Sequence, residues 1–236
     1  MHSLPYTIRR SPRAKHTRIV VTPDKVEVVA PPQIPEEQIK AFVVLQQGWI
    51  RNTLARLADK TQPIQPQRRY EDGACVLYQG REITLQIQTG DRRGARIELM
   101  DENRLLLTLP RHTLPESAVI GPLLRQWLKN QARRYALIYI EKHADRFNLH
   151  PRSVKLKAQK SRWGSCGFEN DINLNWLLIL APPNVFEYVV VHEICHIRHK
   201  NHSAAFWALV SLHLPDYSRA RYWLKENGAQ LMAERG

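Results

Sequence analysis

The run Val189-Val190-Val191-His192-Glu193-Ile194-Cys195-His196-Ile197, continued by Arg198-His199-Lys200-Asn201-His202, decides how this chain is to be read. Val185, Val189 and Val190 recur at helical spacing. A helix is expected to open at about Asn184, a good N-cap, behind the breaker Ala181-Pro182-Pro183. On such a helix His192 and His196 project from one face, about 40° apart and one turn along the axis. Two imidazoles so placed reach one Zn²⁺ at ~2.0–2.1 Å each. Glu193 directly follows the first histidine, so it points alongside the ion, where it can take a proton from a bound water. Three fixed residues make a short pattern, but apolar neighbours strengthen it, because a buried imidazole needs a partner.

A third ligand is harder to place. On a continuing helix His199 falls about 20° from His192 but about 10 Å further along the axis, too far to converge on the same ion. The third ligand therefore comes after the chain turns. His202 meets that condition if the helix ends at about Lys200 and Asn201 takes the left-handed conformation that Asn tolerates. His199 and Glu226, on a later helix, are the other candidates. Beyond His202, Ser203 is placed to cap a helix from Ala204 to Leu214 with Phe206, Trp207 and Val210 on its apolar face, and Pro215 ends it.

Working outward, Val154–Ala158 and Ile172–Trp176 alternate as strands. Further back, Ile83–Gln88, Ala95–Leu99 and Arg104–Leu109 read as strands, and a helix follows from about Pro115 to Asn148. Arg18–Thr22 and Lys25–Ala30 read as two strands around a Pro23-Asp24 turn, followed by a helix from about Pro35 to Lys60 with Glu36 and Glu37 in its first turn. The N-terminal half thus uses strands followed by a helix twice. Trp49-Ile50 and Trp127-Leu128 are expected to pack those helices onto their sheets. Gln62–Gln67, with Pro63 and Pro66 and no apolar periodicity, reads as a connector. The expected organisation is a strand–strand–helix region over 1–62, a β-rich segment over 63–110 and a catalytic module over 111–236.

Four short blocks carry a family resemblance: Arg162-Trp163-Gly164-Ser165-Cys166, Leu174-Asn175-Trp176, His192-Glu193-Ile194-Cys195-His196 and Asn201-His202-Ser203 with Phe206-Trp207. In order and spacing the chain resembles the YgjP-like metallopeptidases, a zincin family related to the SprT-like and WLM-type proteases. The resemblance extends into the N-terminal half. It implies an α+β zincin-like module, an active-site helix packed on a small mixed sheet. It also implies zinc held by His192, His196 and His202, with Glu193 as general base. The glycine that metzincins place three residues after the second histidine is absent, since His199 stands there. Within the matched blocks the strand Asp171–Trp176, with Asn173 and Asn175, is the expected border of the cleft, where a peptide could add as an extra strand. Arg162, His199 and Tyr222 are candidates for stabilising an oxyanion or holding substrate.

Composition narrows the function. Lys and Arg number 35 against 22 Asp and Glu, for a net charge of +13, a field that attracts anions. A metal-dependent peptidase is the first reading. A nucleoside-triphosphate pyrophosphatase that splits a phosphoanhydride is the second, and a protease docked on DNA or RNA the third. No Walker-type glycine loop or carboxylate cluster for Mg²⁺ supports the second. No zinc knuckle or helix-turn-helix supports the third. A structural zinc module has no use for the glutamate after the first histidine. No apolar run approaches the ~18 residues that cross a bilayer, and Met1–Arg10 lacks the apolar core of a secretory signal. Cys75, Cys166 and Cys195 form no disulfide framework, which suits a reducing, cytoplasmic compartment.

Overall fold

A computed structural model of the chain describes residues 5–22, 25–60 and 69–234. The expected Pro23-Asp24 turn and the Gln62–Gln67 connector lie outside the described residues. The chain divides into two compact units, Met1–Gln67 and Arg68–Gly236.

In the first unit, strands β1 (Thr7–Arg10), β2 (Arg18–Val21) and β3 (Val26–Ala30) form a sheet in the order β1-β3-β2, with β1 parallel and β2 antiparallel to β3. Thr22 N donates to Lys25 O at 2.9 Å, closing the β2–β3 hairpin. The helix expected over 35–60 is two helices, α1 (Glu36–Leu45) and α2 (Gln47–Lys60). Gln46 ends the first with a shared hydrogen bond to Phe42 O and Val43 O, and Gly48, a poor helix former, follows the break. The interruption directs Ile50 into the core with Ile39, Val43 and Val28. Trp49, expected to pack on the sheet, is instead 49% exposed.

The second unit holds two sheets. In one, β4 (Cys75–Tyr78), β5 (Arg81–Gly90), β6 (Arg96–Leu99) and β7 (Arg104–Pro110) run in the order β4-β5-β7-β6. The other orders β8 (Ser153–Lys157), β9 (Gly164–Cys166) and β10 (Asp171–Asn175) as β8-β10-β9. One pattern recurs in the three sheets of the described residues. A strand is followed by a hairpin whose second arm pairs parallel with that strand and antiparallel with the first arm: β1-β3-β2, β5-β7-β6 and β8-β10-β9. A helical segment follows each time, so the repetition expected in the N-terminal half extends through the chain.

Helix α3 (Ser117–Phe147) buries Ile120, Leu124, Leu128, Ala132, Ala136 and Ile140 along one stripe and ends at Asn148, left-handed at φ 52°, as its short amide side chain allows. A five-residue 3₁₀ turn, Trp176–Leu180, is buried throughout and leads to α4 (Pro183–Arg198), α5 (Ala204–His213) and α6 (Tyr217–Ala233). Asn184 is not the cap of α4. Pro182 caps it and Pro183 takes the first helical position, where a missing N–H costs nothing. The β4–β5 turn locks this start. Gln79 N and Gly80 N donate to Ile179 O and Leu180 O at 2.8 and 2.9 Å. Gly80 has φ 79°, and a Cβ there would meet Pro182 Cγ at 2.7 Å. The architecture is α+β, with α4 lying on the mixed sheet at β9 and β10.

Candidate metal centre

α4 delivers His192 and His196 from its last two turns and then stops earlier than expected. It ends at Arg198, and His199 turns the chain in an extended conformation, φ −121° and ψ 101°. Asn201 is not left-handed, since the non-glycine residues with positive φ are Gln79, Asn148 and Asn170. The early stop brings His202 back over the helix. The three ring centroids form a near-equilateral triangle with sides of 4.9, 5.0 and 4.8 Å. Ser203 caps α5 through its hydroxyl, which accepts from Phe206 N, and so sets Phe206 against all three rings at 4.5–5.0 Å.

The donor atoms suit a divalent cation. One ligand nitrogen from each of His192, His196 and His202 lies within 4.8 Å of the others. The Nε2 atoms of His192 and His202 stand 3.1 Å apart, close to the ~3.3 Å between two nitrogens that bind one tetrahedral ion at ~2.0–2.1 Å. His196 donates through Nδ1 to His199 O at 2.9 Å, which leaves its Nε2 lone pair for the shared centre, the usual backing of a metal-bound imidazole. His199 therefore contributes its backbone carbonyl. Burial, then the charges of His196, His202 and Arg221, push His192 down to about 3. His196 is also held below its usual range, chiefly by burial. Both rings stay neutral at pH 7, the form that coordinates. Glu226 is exposed on α6 and is not part of this cluster.

Glu193 is 5% exposed and its Oε2 has no hydrogen-bond partner. Burial pushes its carboxyl up to about 8, against the pull of the Arg162 charge. It lies flat on β9: a Cβ on Gly164 would meet Glu193 Oε1 at 2.5 Å and Cγ at 2.6 Å. Only glycine leaves room there, which gives the Arg162–Cys166 block a physical purpose.

The expected substrate residues fall in different places. β10 does not border an open cleft, because it is the central strand, paired with β8 on one side and β9 on the other. Asn173 reaches back to Ser165 Oγ at 3.3 Å. Asn175 is fully buried. Its amide nitrogen donates to Gln159 O at 2.9 Å and Arg162 O at 3.3 Å, and its oxygen accepts from Leu177 N. Asn175 is a brace for the turn that carries Arg162 and Gly164. Tyr222 is 65% exposed on α6. The α6 residues that meet the Trp207 ring are others: Tyr217 stacks on Trp207 at 5.4 Å, and Arg221 sits over the same ring at 4.7 Å. The thiol of Cys195 is fully buried and pushed up to about 12 by that burial, so it is a packing residue.

β9 is one of the two edge strands of the β8-β10-β9 sheet. Asn175 N donates to Trp163 O and Gly167 N to Asp171 O, and Ser165 faces Asn173 between them. By antiparallel alternation, the N–H and C=O groups of Gly164 and Cys166 point away from β10. Past the edge, Phe168 is 94% exposed at the hairpin tip. Lys200 pins that hairpin through Gly167 O at 3.1 Å and Asn170 Oδ1 at 2.7 Å, tying it to the loop between His196 and His202.

A family model described as YgjP-like, metallopeptidase domain, matches residues 15–227, spanning both compact units. No curated protein and no solved structure matches the chain. Among the described residues no helix is long and apolar enough to cross a membrane.

Proposed function

The chain belongs to the YgjP-like metallopeptidase family, and from that premise we propose that it is a zinc-dependent peptidase with His192, His196 and His202 as ligands and Glu193 as general base. The observation that carries the reading is the triangle of imidazoles beside a buried carboxyl that has no partner. Three protein ligands with the fourth position left to water is the arrangement of catalytic rather than structural zinc. When bound, zinc polarises the scissile carbonyl, brings the pKa of water toward ~7 and draws Glu193 to its ionised form.

The protein's own groups do the rest. Glu193 Oε2 accepts the proton of the attacking water and returns it to the leaving amine, and the burial that raises its pKa makes the carboxylate the stronger base. Gly164 keeps that carboxyl against β9. His199 O holds His196 in the tautomer that presents Nε2. An extended peptide that adds to β9 pairs with the outward groups of Gly164 and Cys166, which lays its backbone beside Glu193. Arg162, close enough for its charge to act on Glu193, is placed to steady the developing oxyanion. The three cysteines are free, in keeping with a reducing, cytoplasmic setting.

The test is hydrolysis of a peptide library and of nucleoside triphosphates by zinc-loaded protein, before and after chelation. Peptide cleavage that a chelator removes and added zinc restores is the expected result. Phosphoanhydride hydrolysis without peptide cleavage would overturn the proposal.

A further inference from the structure

Positive charge surrounds the three histidines from three separate elements. Beyond the burial that dominates each shift, Arg162, ahead of β9, pulls down the carboxyl of Glu193, Lys200, after α4, acts on His196, and Arg221, on α6, acts on His192. Lys200 is already engaged by Gly167 O and Asn170 Oδ1.

Arg221 is different. Its Cζ lies 4.7 Å from the centre of the Trp207 ring. Trp207 in turn stacks on Tyr217 at 15° and 5.4 Å, and Tyr217 on Tyr188 at 17° and 6.2 Å. Tyr217 and Arg221 are four residues apart on one helix, so they lie on one face and meet the same indole. This aromatic stack fixes where the guanidinium sits. Contact with the ring uses the guanidinium face and leaves its edge donors free, and Arg221 has no carboxylate partner among the described residues. Trp207 is also 5.7 Å from the His202 ring and 5.8 Å from the His192 ring. The guanidinium is thus no more than about 10.5 Å from either imidazole. A peptide strand advances ~3.3 Å per residue, so a group within about three residues of the bond being cut can reach the guanidinium.

We propose that Arg221, held on Trp207 beside the three histidines, recognises a carboxylate of the peptide substrate within about three residues of the scissile bond. The proposal rests on the peptidase reading above and names its substrate class, peptides that are acidic close to the cleavage point. The carboxylate is either an Asp or Glu side chain or the C-terminal carboxylate of a short peptide. A fixed, planar, doubly donating guanidinium suits either through two parallel hydrogen bonds.

The experiment compares kcat/KM for matched peptides carrying Glu or Gln at each position within three of the cleaved bond, and for the same peptides as C-terminal acid or amide. Wild type, Arg221→Gln and Arg221→Glu are assayed. The wild type is expected to favour the carboxylate at least tenfold, through KM, at one position or at the C-terminus, and that position tells the two sources apart. In Arg221→Gln the preference collapses toward one, and in Arg221→Glu, tested also with Lys-bearing peptides, it inverts. A preference unchanged in both variants, or both peptides slowed equally, overturns the role of Arg221. Binding to the Glu193→Gln protein, followed by tryptophan fluorescence, separates this from failure of the peptidase reading. If wild type cleaves no peptide yet Glu193→Gln binds the acidic peptide through Arg221, the peptidase reading fails and the carboxylate site stands. If neither peptide binds preferentially, the carboxylate site fails.

Discussion

Two clusters of histidine stand out among the described residues of the second unit, and only one is built like a centre for a metal. In the other, His143 on α3 and His213 at the end of α5 approach with their Nδ1 atoms 3.2 Å apart. His143 Nε2 lies 2.8 Å from Glu187 Oε1, on α4, and Lys142 donates to the same oxygen at 2.7 Å. Both rings are about 95% buried. Here the contacts close on one another except at His213 Nε2: the His143 ring spends both nitrogens, only two imidazoles meet, and hydrogen bonds from His143 and Lys142 hold the Glu187 carboxyl below its usual range. In the His192 cluster three imidazoles meet, the neighbouring carboxyl has no partner, and its pKa is pushed up. The closed pair is the more deeply buried of the two, so burial is not what marks a metal centre. The open valence and the partnerless acid are what differ.

The largest expected effect tests that partnerless acid. Glu193→Gln should lower peptide hydrolysis ~10²–10⁴-fold, the range for loss of a general base, while zinc content stays at one per chain by elemental analysis. Gly164→Ala should lower activity in the same way without touching Glu193 chemically, because its methyl group needs the space that Glu193 Oε1 occupies. Full activity in the glutamine variant would remove Glu193 as the base. Glu187→Gln, in the closed cluster, should leave hydrolysis far less changed.

The next effect concerns the third imidazole. His202→Ala should weaken zinc affinity by more than the ~10–100-fold that a change behind a ligand costs. His199→Ala keeps the backbone carbonyl that holds His196 and should weaken it less than tenfold. Competition with a chromophoric chelator reads both, and equal losses would return the choice of third ligand to the open question that the sequence leaves.

How much of this was legible in the sequence follows from what a sequence encodes locally. His192, Glu193 and His196 are fixed by the helical repeat alone. His202 was reachable by exclusion, since a straight helix carries His199 too far, but the turn itself was misassigned to Asn201 because side-chain tolerance for left-handed backbone does not say where a helix stops. The mixed sheet was half visible. Asp171–Asn175 alternates, whereas Gly164–Cys166 is three residues long, too short to show a period, so the pattern does not reveal that Asp171–Asn175 is the central strand. Asn175 looked like a substrate group because an amide with unmet hydrogen bonds and one buried in a turn are the same letter. Tyr222 and Arg221 are neighbours in sequence but about 100° apart on a helix, so the local pattern does not say which of them meets Trp207. The His143–His213 pair, 70 residues apart, leaves no local signal at all.

The smallest expected effect belongs to that pair, and its sign follows from the hydrogen bonds. Glu187 Oε1 can only accept when ionised, so His143 donates through Nε2, and in the neutral ring its Nδ1 accepts from the Nδ1–H of His213. A proton added to His213 must then enter at Nε2, which is buried with no partner. Burial, then the charges of His143, Arg146 and Arg198, accordingly lower His213 from 6.5 to about 4. The unfolded chain takes up this proton near pH 6.5 and the folded chain only near pH 4, so His213 contributes its full stability above about 6.5 and loses it progressively between those values. Glu187, also depressed, adds an acid loss only below its ordinary 4.5. Urea unfolding of zinc-free protein between pH 7 and 4.5 should therefore show stability falling with acid, and the fall should be shallower in His213→Leu than in wild type. An identical slope in the two proteins would mean that His213 ionises in the fold as readily as in water, and that the second cluster is as open as the first.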